Sequence, residues 1–238
     1  MRVLTNDKLI KRRAKLGQYI NFAGLGVLVI GMVVSFRSQP TDPNYQLLMF
    51  ATLGCLVIGF VAASVGGYNI RRFGRSPRPD ERLAKELEGF DDRYVFFSWM
   101  TSSPYTLVGP SGVYIFIMRD HSGKIVNTGD KWKGSFSIVR LLTSFGQEGL
   151  GNPTLESQQE AKKLQDFLAK NLPDLTVEVQ PIVLFVHPKV ELQLSNPTVP
   201  VVQPKSLKAL MRQRTKDKRL NAQALQQIEA LFTSSVKS

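Results

Sequence analysis

The sequence predicts a pair of membrane-spanning helices followed by an α/β (α+β) domain built on a mixed sheet. Three observations carry this. Residues 19–36 and 47–68 are apolar runs without a charged side chain. An uncharged apolar run of about 18 residues or more can cross a ~30 Å hydrocarbon core as a helix. Lys and Arg cluster on the outer flank of each run. Beyond them the residue patterns run helix, three or four strands, helix, strand, then helices, an order that covers a mixed sheet with helices.

The flanking charges give the orientation. Arg2, Lys8, Lys11, Arg12, Arg13 and Lys15 precede the first run, and Arg71, Arg72, Arg75, Arg78, Arg82 and Lys85 follow the second. The intervening loop, residues 37–46, sets only Arg37 against Asp42, among the turn formers Pro40, Pro43 and Asn44. Short loops rich in Lys and Arg stay cytoplasmic. The expectation is a two-pass protein of a bacterial-type inner (plasma) membrane, with both termini and the soluble domain cytoplasmic. Residues 1–18 form a basic N-terminus, 37–46 an external loop and 69–79 a basic linker. Two rival readings compete with this one. A cleaved signal peptide fits the basic front, but a second apolar run follows at once and no small-x-small cleavage site precedes it. A buried helical hairpin of a soluble protein is opposed by the missing charge and the basic flanks.

Small residues dot both runs. Gly59, Ala63 and Gly67 stand four apart, a spacing that puts them on one helix face, and the first run carries Gly24, Gly26 and Gly31. Such faces admit close helix approach. The partner is the other span, or a second copy of the chain; the sequence leaves the oligomeric state open. Neither run holds a charged residue, which speaks against a transporter or proton channel. Cys55 is the single cysteine and lies inside the second run, so no disulfide closes within the chain. With only His121 and His187 beside it, no histidine–cysteine zinc site can be assembled.

Residues 80–204 read as one domain, with residues 205–238 as basic helices that complete or flank it. Asp80 is placed to cap a helix through Glu81, Leu83, Ala84 and Leu87 that ends near Gly89. Residues 94–100 are aromatic and β-branched, a strand; residues 106–108 and 113–118 are two more, joined by the tight turn Gly109-Pro110-Ser111-Gly112. Gly123 leads into a strand over residues 124–128, and residues 138–145 fit helix or strand equally. Asn152-Pro153 opens a helix whose apolar face is Leu155, Ala161, Leu164, Phe167 and Leu168. Residues 177–186 form a buried strand, Leu192 and residues 199–202 shorter ones. A basic helix carries Leu207, Leu210 and Met211 on one side, and Asn221 caps a last helix with Leu225, Ile228 and Leu231 in register.

The chain carries a net charge of +12. Part of it flanks the spans, where it favours anionic lipid. A second cluster comprises Lys205, Lys208, Arg212, Arg214, Lys216, Lys218 and Arg219. It suits nucleic-acid phosphates, the inner leaflet, a protein partner or simply solvent. No GxxxxGK[ST], strand-linked GxGxxG or GxSxG motif occurs.

One set of residues resembles a known family. Leu107-Val108-Gly109-Pro110-Ser111-Gly112-Val113-Tyr114-Ile115-Phe116-Ile117, followed by Ser122-Gly123-Lys124-Ile125, is similar to the hairpin of the nuclease-related domain (NERD) family. That family runs from a first helix into a strand, then a hairpin of the form Asp-His-x-x-x-Gly-Pro-x-Gly-Val-Phe-Val-Ile-Glu-x-Lys. An Asn-Pro-x-x-Gln helix, a long hydrophobic strand and a C-terminal helix follow. Residues 80–87, Asn152-Pro153, residues 181–185 and 199–202, and residues 221–231 match these in order.

The resemblance implies a restriction-endonuclease-like fold. Its PD-(D/E)xK chemistry holds a divalent metal with acids on two strands and activates water beside a lysine. Here Pro104 stands at the Asp position, Tyr105 at the His, Ile117 at the Glu, Arg119 at the Lys and Glu156 at the Gln; Gln158 takes that last place only with a two-residue insertion. Proline and isoleucine offer no carboxylate to a metal. The resemblance therefore implies a degenerate pseudoenzyme that binds or scaffolds without a cofactor. The alternative is a Mg-dependent nuclease with relocated ligands, drawn from Glu81, Asp120 and Lys124. Arg119, Lys124, Lys131 and Lys133 form a candidate phosphate-binding patch, with Trp132 as a stacking platform; the plainer reading is a solvated edge with one packed tryptophan.

Overall fold

A computed structural model describes residues 1–41, 43–134, 149–215 and 219–235. The chain divides into two units. Asp7–Arg78 supplies one; Met1–Asn6 and the described residues from Pro79 onward supply the other.

The first unit is a helical hairpin. Helix α1 spans Asp7–Arg37 and α2 spans Tyr45–Asn69, continued by a π-helical turn at Ile70–Gly74. Both are long and apolar enough to cross a membrane. Only 11% of the most apolar stretch of α1 and 6% of that of α2 is buried, unlike the core helix of a soluble protein. Helix α1 begins well before residue 19, so Lys8, Lys11, Arg12, Arg13 and Lys15 belong to the helix itself. The helices meet along a glycine seam of period seven: Gly17, Gly24 and Gly31 on α1, Gly59 and Gly66 on α2, all buried. A seven-residue repeat keeps one seam facing its partner. A Cβ on Gly24 would stand 2.9 Å from the Ala62 Cβ, and one on Gly66 2.6 Å from the Asn21 nitrogen. The expected ladder is thus corrected. Gly66 rather than Gly67 faces α1, because a seventh residue, not an eighth, returns to the face of Gly59. Gly26 meets nothing within 4 Å and points away.

The second unit holds a strand that the basic N-terminus hides. Strand β1, Arg2–Thr5, pairs in parallel with β2, Val95–Ser98. Helix α3, Pro79–Glu86, precedes β2; β3, Tyr105–Gly109, and β4, Gly112–Arg119, complete an antiparallel meander. Asp80 lies within the first turn of α3 rather than capping it, and accepts a hydrogen bond from Ser98 Oγ at 2.9 Å. Strands β5, Gly123–Thr128, and β6, Lys131–Gly134, form a second hairpin. Helix α4, Pro153–Asn171, then crosses to β7, Val179–Phe185, parallel to β4. Strand β8, Val190–Ser195, joins β5, and β9, Val201–Val202, joins β7. Helices α5, Pro204–Arg214, and α6, Ala222–Ser235, end the unit. The sheets run β1-β2-β3-β4-β7-β9 and β6-β5-β8. The expectation for residues 138–145 lies outside the described residues.

Period-two alternation sends side chains to both faces of the larger sheet. Val95, Phe97, Val108, Val113 and Ile115 pack with Ala161, Leu164 and Leu168 of α4 and Ala224, Ile228 and Phe232 of α6. Phe96, Leu107, Tyr114, Phe116, Ile182 and Leu184 pack with Leu83 of α3 and Leu207 and Met211 of α5. Leu155 does not join the α4 core face: it is 50% exposed, while Thr154 and Ser157 are buried. Asn221 caps α6, its Oδ1 accepting from Ala224 N at 2.8 Å.

Candidate functional site

The two-residue turn Pro110-Ser111 fixes the β3–β4 register, with Thr106 opposite Ile115. That pair is the last of the ladder: Ile117 lies two residues further along β4, while Pro104 sits in the bend just before β3. Of the two positions where the resemblance expects acids, one is thus within a strand and the other in the segment that leads into its neighbour. Ile117 is buried and Pro104 half-buried. Arg119, two residues on, shares the face of Ile117 and is 5% exposed.

Arg119 is the residue around which this corner is organised. Its guanidinium is ion-paired to the Glu156 carboxylate near the start of α4. It also donates to the Leu150 carbonyl at 3.4 Å and the Met118 carbonyl at 3.2 Å. The N-terminus of α4 is held by Asn152, whose Oδ1 accepts from Leu155 N at 3.1 Å and whose Nδ2 donates to the Asp130 carbonyl at 3.0 Å. Trp132 Nε1 donates to Thr154 Oγ1 at 2.8 Å, and its ring packs 5.6 Å from that of Phe185. So the Lys position and the Gln position of the resemblance meet as an Arg–Glu pair; Gln158 is exposed. Tyr105, at the His position, points to the other face and packs edge-on to Trp99 at 5.6 Å.

The corner holds a cation where a metal-dependent site needs carboxylates. Among the described residues no three His, Cys, Asp or Glu side chains group to hold a metal ion. Glu81 lies on α3, Asp120 is exposed just beyond β4, and Lys124 belongs to β5 in the smaller sheet.

The expected phosphate patch is redrawn. Arg119 leaves it, because burial and Glu156 hold its guanidinium inside the fold. Trp132 leaves it too, since its ring is packed and its N–H bonded. Lys124, Lys131 and Lys133 remain exposed. Lys131 pairs with Thr128 and Lys133 with Val126, which places all three lysines on one face of the smaller sheet, with Glu191 beside Lys124. On α5, Lys205 and Arg212 face solvent, and Lys208 extends its ammonium toward Gly89. Arg214 turns inward instead, hydrogen-bonded to Gln180 with its guanidinium carbon 6.0 Å from the centre of the Tyr114 ring. Lys216 and Lys218 lie outside the described residues.

The hairpin motif itself has a structural purpose that its sequence does not announce. Tyr94 shares a 3.1 Å hydrogen bond with Ser111 Oγ, and Tyr114 OH donates to the Ser111 carbonyl at 3.1 Å. Arg219 N and Leu220 N both donate to the Pro110 carbonyl, at 2.8 and 3.0 Å. A Cβ on Gly109 would stand 2.1 Å from the Tyr94 ring, and Gly112 holds φ at 132°. The Gly-Pro-Ser-Gly turn is thus a buried clasp between Tyr94 and the C-terminal segment. Burial raises the Tyr94 hydroxyl pKa above its ordinary value, against the Ser111 hydrogen bond that lowers it. Comparison with protein-family models, with curated proteins and with solved structures finds no match for this chain.

Proposed function

We propose that this chain is a two-pass inner-membrane protein whose cytoplasmic unit is a NERD-like, restriction-endonuclease-like domain that binds its partner without cutting it. The observation that carries the reading is the filled corner. Ile117 on β4 and Pro104 just before β3 stand at the positions where the resemblance expects acids, and Arg119 is neutralised by Glu156. The element order supports it: helix α3, the meander β2-β3-β4, crossover helix α4 and parallel strand β7 follow the order the resemblance implies.

Strand β1 supports the membrane half of the reading. Residues 2–5 are laddered to β2, so the chain leaves and re-enters one folded unit on either side of the hairpin. A single hydrogen-bonded sheet cannot be divided by a bilayer, which calls for an even number of crossings. The basic flanks support a cytoplasmic side for that unit.

Nucleic acid is the partner we assign first, through Lys124, Lys131 and Lys133. The test incubates the full chain in detergent micelles with single- and double-stranded DNA and RNA, with Mg²⁺ or Mn²⁺. The expected result is salt-sensitive binding without cleavage, weakened by Lys124→Gln/Lys131→Gln/Lys133→Gln. Metal-dependent cleavage lost in Asp120→Ala overturns the reading in favour of a nuclease with relocated ligands. Absence of binding to every nucleic acid redirects the domain to a protein or anionic-lipid partner, as in a membrane assembly factor.

A further inference from the structure

The outward face of α1 is ordered in a way that packing against α2 does not use. Ala14 and Gly17 face the rest of the hairpin, Ala14 against Gly74 and Gly17 against Asn69, and Ile10 is buried. On the opposite side stand Lys8, Lys11, Arg12 and Lys15, at the i, i+3, i+4, i+7 spacing of one helix stripe. All four are exposed, and among the described residues none of them pairs with a carboxylate. Asp7 is the only acid in this part of the helix.

The stripe continues into the apolar part of the same helix. Tyr19 follows Lys15 by one turn and is 71% exposed; Phe22 and then Ile30 are exposed beyond it. Between Phe22 and Ile30 lies Gly26, where an added side chain would meet nothing within 4 Å. That leaves a shallow notch, walled by two large side chains, on the face away from α2. From Lys15 to Gly26 the helix rises about 16 Å, within reach of a fatty acyl chain whose headgroup sits at Lys15. Read along one line, the face offers cations, then a tyrosine suited to the interfacial region, then an apolar groove.

We propose that this face of α1 binds an anionic phospholipid, its phosphate on Lys11, Arg12 and Lys15 and one acyl chain in the notch at Gly26. The inference rests on the two-pass reading and not on the nuclease-like one. Charge complementarity selects the occupant: a cation cluster near a membrane surface favours anionic lipid, and Lys and Arg stems lie along apolar surface while their heads reach the interface.

The test reconstitutes the full chain in vesicles of phosphatidylcholine and phosphatidylglycerol in equal parts. A styrene–maleic copolymer then extracts the protein with its surrounding lipid, which mass spectrometry counts. Phosphatidylglycerol is expected at roughly threefold or more over the bulk ratio. The ratio should fall to bulk in Lys11→Gln/Arg12→Gln/Lys15→Gln, and decline in Gly26→Leu, which fills the notch without touching α2. Resistance to alkaline carbonate extraction is measured on the same samples. Carbonate-resistant protein with phosphatidylglycerol at the bulk ratio overturns the lipid site and leaves the two-pass reading standing; protein washed off by carbonate overturns the two-pass reading. Enrichment that survives the triple substitution or Gly26→Leu, or that disappears only in Lys205→Gln/Arg212→Gln, overturns the assignment to α1.

Discussion

If Arg119 fills its corner as a structural cation, removing Glu156 must leave a buried charge without its counter-ion. Losing one partner of a fully buried ion pair costs about 3–5 kcal/mol, whereas an exposed pair is worth about 0–1 kcal/mol. Arg119 is 5% exposed but the Glu156 side chain is 46% exposed. The carbonyls of Leu150 and Met118 also continue to accept from the guanidinium. Solvent access to one partner brings the expected loss for Glu156→Gln to about 2 kcal/mol. In a unit of this size 1 kcal/mol moves the midpoint by about 2–4 °C, so the melting temperature should fall by roughly 4–8 °C. Arg119→Met removes the charge together with the pair and should cost less. Glu156→Gln added to Arg119→Met should cost almost nothing more, because the charge that needed a partner is gone. Thermal unfolding of the full chain in detergent reads this out through tryptophan fluorescence, since Trp132 is bonded to Thr154 at the start of α4. A shift below about 1 °C for Glu156→Gln, or additive losses in the double variant, would refute the reasoning.

Three further outcomes follow from the packing. Gly24→Leu places a Cβ 2.9 Å from the Ala62 Cβ and Ala63 nitrogen, where carbon contacts settle at about 3.5–4.0 Å; the helices must part by about 1 Å, and energy transfer between probes on residues 37 and 46 should drop at lower detergent strength, while Gly26→Ala leaves it unchanged. Gly109→Ala drives a methyl into the Tyr94 ring and should cost about 3 kcal/mol, seen as a lowered melting temperature. Tyr94 keeps its proton to higher pH in the folded unit than in the unfolded chain, because burial raises its pKa. Its contribution is complete below about pH 10 and is lost as pH rises through the folded value, so the alkaline fall in melting temperature should be shallower in Tyr94→Phe than in the parent.

The helical hairpin was legible because two long uncharged apolar runs joined by a turn-rich loop are each long enough for a spanning helix, yet its true seam was not. Gly17 lies two residues beyond Lys15, outside any apolar window, and counts as part of the seam only once α1 is seen to run through its own cationic stretch. Strand β1 escaped for a different reason. Its four residues carry a weak alternation, and its partner β2 lies about ninety residues away, so no local signal marks it. The pairing of β3 with β4 was legible because a two-residue turn fixes antiparallel register. The burial of Arg119 was not, since it depends on Glu156, 37 residues downstream. Strand β6 reads Lys-Trp-Lys; alternation around one tryptophan looks like a phosphate patch or a half-buried strand, and only the Phe185 and Thr154 contacts decide.

The net charge of +12 is therefore several messages superposed. Arg2, Arg119 and Arg219 are engaged with Glu229, Glu156 and Glu178, and Arg214 with Gln180. These guanidinium groups tie β1, α4 and the C-terminal segment to the sheet, and planar forks suit that task better than lysine does. Among the cations that face outward, Lys124, Lys131 and Lys133 share one face of the smaller sheet, and Lys8, Lys11, Arg12 and Lys15 share one stripe of α1. Lysine presents a mobile, hydrated point charge that follows phosphates without demanding fixed geometry. These four arginines thus close the fold, while the two exposed cation groups lie in separate units. Salt should loosen a partner at either group before it loosens the Arg119–Glu156 pair, whose guanidinium is buried.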